Sequence, residues 1–145
     1  MRYVLDTNVL VAALRSERGA SRKLLLSALD GEIRVLASVP LMIEFEAVLT
    51  RPEQLAATGL TIGETNDVLD AVAAVAEPIQ LHFLWRPRLK DPADEMVLET
   101  AVNGRADRLV TFNLRHLKGA AEEFGIRVVT PPEAWKEIQR DHAKK

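Results

Sequence analysis

Apolar and polar positions fall in blocks along this chain, and the block lengths predict alternating strands and helices. The opening "MRYVLDTNVLVAALRS" sets the apolar run "YVL" against "DTN" before hydrophobicity resumes. Residues 3–5 read as a short buried strand and residues 8–15 as a helix, with Asp6 or Thr7 placed to cap it. "SERGAS" is a loop, and a second helix starts at Ser21 and stops at Gly31. "IRVLAS" is a strand. "VPLMIEFEAVLTR" is a largely apolar helix that tolerates Pro40 in its first turn. Residues 51–59 read as a polar connection, and Thr61 with Glu64 forms a capping-box signature before "TNDVLDAVAAVAE".

Beyond it, "PIQLHF" is a third strand and "LWRPRLKDP" a basic, proline-marked loop. "ADEMVLETAVNG" is a helix ended by Gly104, "RLVTF" a strand, and "NLRHLKGAAEEFG" holds another helix. "IRVVT" is the last strand, "PPEAWKEIQR" a closing helix, and residues 141–145 a frayed tail. Two-residue hairpin signals are almost missing, so the pattern predicts an α/β fold: a mainly parallel sheet covered on both faces by helices. No repeat or linker divides residues 1–140, which form one domain.

Composition narrows the chemistry. At 145 residues, 48% hydrophobic and 28% charged, the chain has the balance of a soluble globular domain. Its net charge of -2 gives no global attraction to nucleic acid or anionic lipid, so such a partner would need a local basic patch. The chain has no cysteine, which excludes disulfides, thiolate metal sites and a cysteine nucleophile. No apolar run approaches the roughly 20 residues that span a bilayer, and no signal-peptide core follows Met1. The expectation is a cytoplasmic protein with no membrane partner.

In open α/β sheets, ligands bind beyond the carboxyl ends of the strands. Asp6 follows the first strand directly, Asn113 follows "RLVTF", and Asp94 opens the helix before that strand. Taken singly, each has an ordinary structural use. Asp6 as a helix cap is worth about 1 kcal/mol. Asp91 before proline starts a turn, and Asp94 and Glu95 suit the first turn of a helix, with Glu95 a solvated partner of the macrodipole. Glu44 shares a helical stripe with Leu41 and Val48, but periodicity does not separate it from Glu46. Met together at one edge, two carboxylates about 4 Å apart repel by roughly 4 kcal/mol at an effective dielectric of 20. Such a group persists by protonating, staying wet or binding a cation. Oxygen donors without cysteine favour Mg²⁺ or Mn²⁺ over zinc.

"YVLDTNVLVAAL", "SVPLMIEFEAVLTRP", "KDPADEMVLETAVNGRADRLVTFNLRHL" and "GIRVVTPPEAW" resemble, in order and spacing, the motifs of PIN domains. The resemblance spans nearly the whole chain and is weakest across residues 54–80. It looks closest to the PIN family assigned as toxins of bacterial toxin–antitoxin systems. It implies a three-layer α/β/α domain and a metal-dependent ribonuclease. Asp6, Glu44 and Asp94 take the places of the acids that hold the ion, and Asp91 that of an outer or alternative ligand. The choice of Glu44 over Glu46 rests on this resemblance alone. Many PIN domains carry a fourth Asp where this chain has Asn113, which leaves open whether one ion or two bind.

The expected reaction is hydrolysis of an RNA phosphodiester, with Thr7, Asn8 and Thr111 orienting Asp6 or waters. Arg86, Arg88, Lys90, Arg115 and Lys118 are the candidate contacts for RNA phosphates, although any one of them is ordinarily a solvated charge. Trp85 either stacks a base or, the favoured reading, packs against the domain or a dimer partner. His116 reads as exposed on its helix rather than as a general base. The group implies a homodimer or higher homo-oligomer and a cognate antitoxin. The main rival is a non-catalytic scaffold in which the acids are caps. An aspartyl phosphotransferase is weaker, because Asn8 stands where that pattern has a second Asp.

Overall fold

The structure is a computed structural model that describes residues 1–82 and 91–143. Its centre is strand β1 (Arg2–Leu5), where Tyr3, Val4 and Leu5 are buried. Asp6 ends the strand and caps helix α1 (Thr7–Arg15). Helix α2 (Ala20–Leu29) stops at Gly31, whose φ of 76° suits a residue without a Cβ. Strand β2 (Arg34–Ala37) passes into α3 (Val39–Leu49), capped by the Ser38 hydroxyl, which accepts from the Leu41 amide at 3.3 Å.

Residues 51–59, expected as a polar connection, contain the short helix α4 (Pro52–Thr58). None of its residues is buried, so it left no apolar periodicity to read. The capping box forms as expected at α5 (Ile62–Val75), with Thr61 and Glu64 exchanging bonds of 3.0 and 3.1 Å. Strand β3 (Glu77–Pro78) is much shorter than "PIQLHF" suggests. It pairs with the end of β2 through Leu36–Glu77 and Ala37–Pro78, and the Ile79 amide adds one more bond to the Ala37 carbonyl. Pro78 has no amide to extend an edge ladder, and β2 offers no further residues to pair with. Phe83 of that segment lies outside the described residues.

Helix α6 (Pro92–Asn103), strand β4 (Arg108–Val110), helix α7 (Leu114–Glu122), strand β5 (Arg127–Val129) and helix α8 (Pro131–Ala143) complete the chain. Helix α8 runs three residues past the expected end at Arg140.

All strand pairings are parallel, in the order β3-β2-β1-β4-β5. Helix α2 packs against α1, α5 and α8, while α6 packs against α7 and across β1, β2 and β4, giving the expected α/β/α architecture. Val4, Val9, Leu24, Leu41, Leu98, Leu109 and Leu117 are fully enclosed and form the apolar centre. At the amino end of the sheet, Arg2 ties the strands together. Its guanidinium donates to Glu77 at 2.5 and 3.1 Å and to the Gly104 carbonyl at 2.8 and 3.1 Å. The opposite, carboxyl edge carries Asp6, flanked by the ends of β2 and β4.

Candidate active site

Asp6 answers the question its position raises: it is both a cap and the centre of a buried polar network. Its side chain is 5% exposed, and its amide donates to the Val110 carbonyl at 2.9 Å, locking the β1 end to β4. Oδ1 accepts from the Thr7 amide at 2.7 Å. Oδ2 accepts from Thr111 Oγ1 at 2.7 Å and Asn8 Nδ2 at 3.3 Å. Thr111 is fully buried, and its oxygen also accepts from the Asn113 amide at 3.0 Å and from Asn8 Nδ2 at 3.3 Å. Asn8 Oδ1 in turn accepts from the Phe112 amide at 3.3 Å. The strand therefore stops at Val110, two residues short of "RLVTF", because Phe112 and Asn113 turn back to this network.

Asn8 and Thr111 thus both donate to Oδ2 of Asp6. Thr7 acts differently: its backbone caps, while its buried Oγ1 finds no hydrogen-bond partner among the described residues.

Helix α6 brings up the second acid. Asp91 is its exposed N-cap and accepts from the Ala93 amide at 2.9 Å. Asp94, one turn in, is buried. Burial pushes the Asp6 carboxyl above its ordinary range, the bonds from Thr111 and Thr7 pull it back, and the charges of Asp94 and Asp91 raise it again. Asp94 is raised by burial first and then by Asp91, with His116 opposing. These three acids share one electrostatic environment. No described Lys or Arg side chain pairs with Asp6 or Asp94; the basic side chain that reaches Asp94 among the described residues is His116, with Nδ1 3.7 Å from Asp94 Oδ2.

His116 is exposed, as expected, yet sequence reasoning did not place it beside an acid. Its signal was position, three residues beyond Asn113 on the helix leaving β4. Glu95 is a second correction. Expected in solvent, it is buried, and its charge helps to raise both Asp94 and Glu99. Its spacing of four from both Asp91 and Glu99 was the available signal.

Glu44 is half-buried on α3, whereas Glu46 is exposed. Glu44 is not among the charges acting on Asp6 or Asp94. Among the described residues, no three His, Cys, Asp or Glu side chains form a closed set around one ion position. Asn113 is exposed and caps α7 without a side-chain bond. Arg115 and Lys118 are exposed on α7, and the Lys118 charge also reaches Glu133. Trp85, Arg86, Arg88 and Lys90 lie outside the described residues.

The donors present fit a hard divalent cation. At Asp6 and Asp94 they are buried carboxylate oxygens, mutually repelling and without a Lys or Arg counter-charge among the described residues, which is the condition an added cation relieves. The fold and this edge define an α/β domain with an acidic centre at the ends of its parallel strands. The PIN domain family model matches residues 2–115, and the chain belongs to that family. PIN domains are generally nucleases and usually employ divalent metals. No curated protein shows significant sequence similarity to the chain. No helix among the described residues is long and apolar enough to cross a membrane.

Proposed function

We propose that this protein is a Mg²⁺- or Mn²⁺-dependent endoribonuclease, the toxin of a toxin–antitoxin pair. The observation that carries the reading is Asp6, a buried carboxyl held by three donors at the strand edge, with no Lys or Arg side chain paired to it among the described residues. Asp6, Asp94 and Glu44 would hold the ion, with Asp91 at its margin. When bound, a divalent ion supplies Lewis-acid polarisation of a phosphoryl oxygen and a water of lowered pKa.

The chain's own residues prepare that chemistry. Thr111 and Asn8 occupy Oδ2 of Asp6 and fix its plane, leaving the outer lone pair of Oδ1 for a ligand. Asn113 presents an amide to a water or phosphate at the same edge. Arg115 and Lys118, with Arg86, Arg88 and Lys90, would neutralise RNA phosphates beside an acidic centre, so binding weakens as salt rises. A cognate antitoxin, a homodimer and a cytoplasmic location belong to this reading through the family resemblance.

The second reading, a scaffold that binds RNA or protein without cleaving, draws its support from Asn113 in place of an acid and from the separation of Glu44 in charge. Cleavage of a fluorescent single-stranded RNA in Mn²⁺ and in EDTA decides between them. The nuclease reading expects metal-dependent cleavage that Asp6→Asn abolishes. Equal cleavage by the variant would remove Asp6 from the proposed ion site, and no cleavage by the wild type supports the scaffold.

A further inference from the structure

Phe112 stands out among the side chains at the carboxyl edge because it is a phenyl ring 49% exposed directly after a fully buried residue. Single exposed apolar groups are common on protein surfaces and mean little alone. Here position adds to exposure. Strand β4 lies beside β1 with Val110 paired to Leu5, so Phe112 comes two residues after the strand end that bonds to Asp6.

The backbone carrying this ring is tethered on both sides to the Asp6 network. The Phe112 amide donates to Asn8 Oδ1 at 3.3 Å, and the Asn113 amide donates to Thr111 Oγ1 at 3.0 Å. The ring is thus presented from a fixed base. No described residue offers it an aromatic or cationic partner. One turn along the chain, Arg115 is exposed on α7, so a cation follows the aromatic residue closely in sequence. An exposed ring, an adjacent cation and an acidic centre one strand away match what a nucleotide needs: a face for its base, a counter-charge for its phosphate and a reactive centre.

We propose that Phe112 is a base-stacking residue that seats one nucleobase of a single-stranded RNA beside the Asp6 centre. The inference rests on the nuclease reading above and adds a contact to it. Stacking on a phenyl face tolerates any base, so Phe112 contributes affinity and register rather than a sequence code.

The test is fluorescence titration of degenerate 12-nucleotide single-stranded RNAs, each carrying one central 2-aminopurine, with the full-length protein in EDTA to prevent turnover. The wild type is expected to quench the probe. Phe112→Ala is expected to weaken binding about 5- to 150-fold, the range for loss of one stacked base. Phe112→Trp should bind at least as tightly as wild type, while Phe112→Leu, apolar but without a π face, should lose most of the affinity. An abasic nucleotide in place of the probe base, followed by anisotropy, should erase the difference between wild type and Phe112→Ala. Thermal melts should show all three variants folded, because the side chain is half in solvent. If Phe112→Leu binds as tightly as wild type, or if the alanine variant loses nothing, stacking is overturned while the nuclease reading stands. If the wild type binds no RNA in EDTA, stacking is overturned, and cleavage in Mn²⁺ decides the nuclease reading separately.

Discussion

Thr111→Val is the sharpest probe of the polar network that holds Asp6. Valine keeps the shape of threonine, so the fully buried position gains no cavity, and the change removes one oxygen. That oxygen donates to Asp6 Oδ2 at 2.7 Å and accepts from the Asn113 amide at 3.0 Å and Asn8 Nδ2 at 3.3 Å. A hydrogen bond to an ionised group is worth about 1.5–3 kcal/mol, and the released amides add to the loss where they stay shielded from water. A total near 2–3 kcal/mol is expected from urea unfolding close to neutral pH.

The pH dependence gives a second check. The Thr111 bond favours the charged form of Asp6, so its contribution is present while Asp6 is ionised and fades as pH falls through the folded-state pKa. That pKa stands above the ordinary carboxylate value because burial dominates, so the fading starts at a higher pH than for an exposed aspartate. Asp6 as a whole has the opposite sign: its raised pKa contributes stability at low pH that is lost as pH rises through it. Thr111→Val should therefore cost most near neutral pH and least in acid, whereas Thr111→Ser, which retains the oxygen, should cost less than half as much. A loss under about 0.5 kcal/mol, or the same loss at both ends of the pH range, would refute the network as described.

Three other expectations are independent of that network. Glu44→Gln should reduce RNA cleavage far more than Glu46→Gln; equal effects would remove Glu44 from the proposed ligand set. Gly104→Ala should destabilise by about 1–3 kcal/mol, because an added Cβ would meet Leu36 Cδ1 at 2.8 Å and Ile79 at 3.1 Å; a denaturation midpoint unchanged from wild type would contradict that close packing. Glu133 accepts from the Thr130 amide and hydroxyl at 3.1 and 2.8 Å, which holds its carboxyl below the usual range, so Glu133→Gln should cost about 0.5–1 kcal/mol at neutral pH. That cost should vanish as pH falls through the depressed pKa, and a loss that persists in acid would exclude an ionic origin.

The order of elements was readable because each buried strand is a short apolar run and most helices carry a cap or stop residue. Thr61 with Glu64 and Gly31 mark boundaries through local chemistry, and local chemistry survives folding. Helix α4 was hidden because it buries nothing, and the extent of β3 was hidden because it depends on how many residues β2 leaves to pair. At the site, Asp6 and Asp94 were visible from their places at strand and helix ends. Glu95 and His116 were not. Whether a first-turn acid is wet, or an exposed imidazole sits near a carboxylate, depends on how α6 and α7 pack together, and no single segment encodes that.

The central claim is that a divalent cation makes the buried Asp6–Asp94 pair tolerable. Its most direct measurement is the unfolding free energy of wild type and Asp6→Asn as Mn²⁺ is added. Binding confined to the folded state should stabilise the wild type by about 2.7 kcal/mol once the ion reaches roughly a hundred times its Kd, while the variant's curve stays flat. A wild type indifferent to millimolar Mn²⁺, or a variant that gains as much as wild type, would contradict the account.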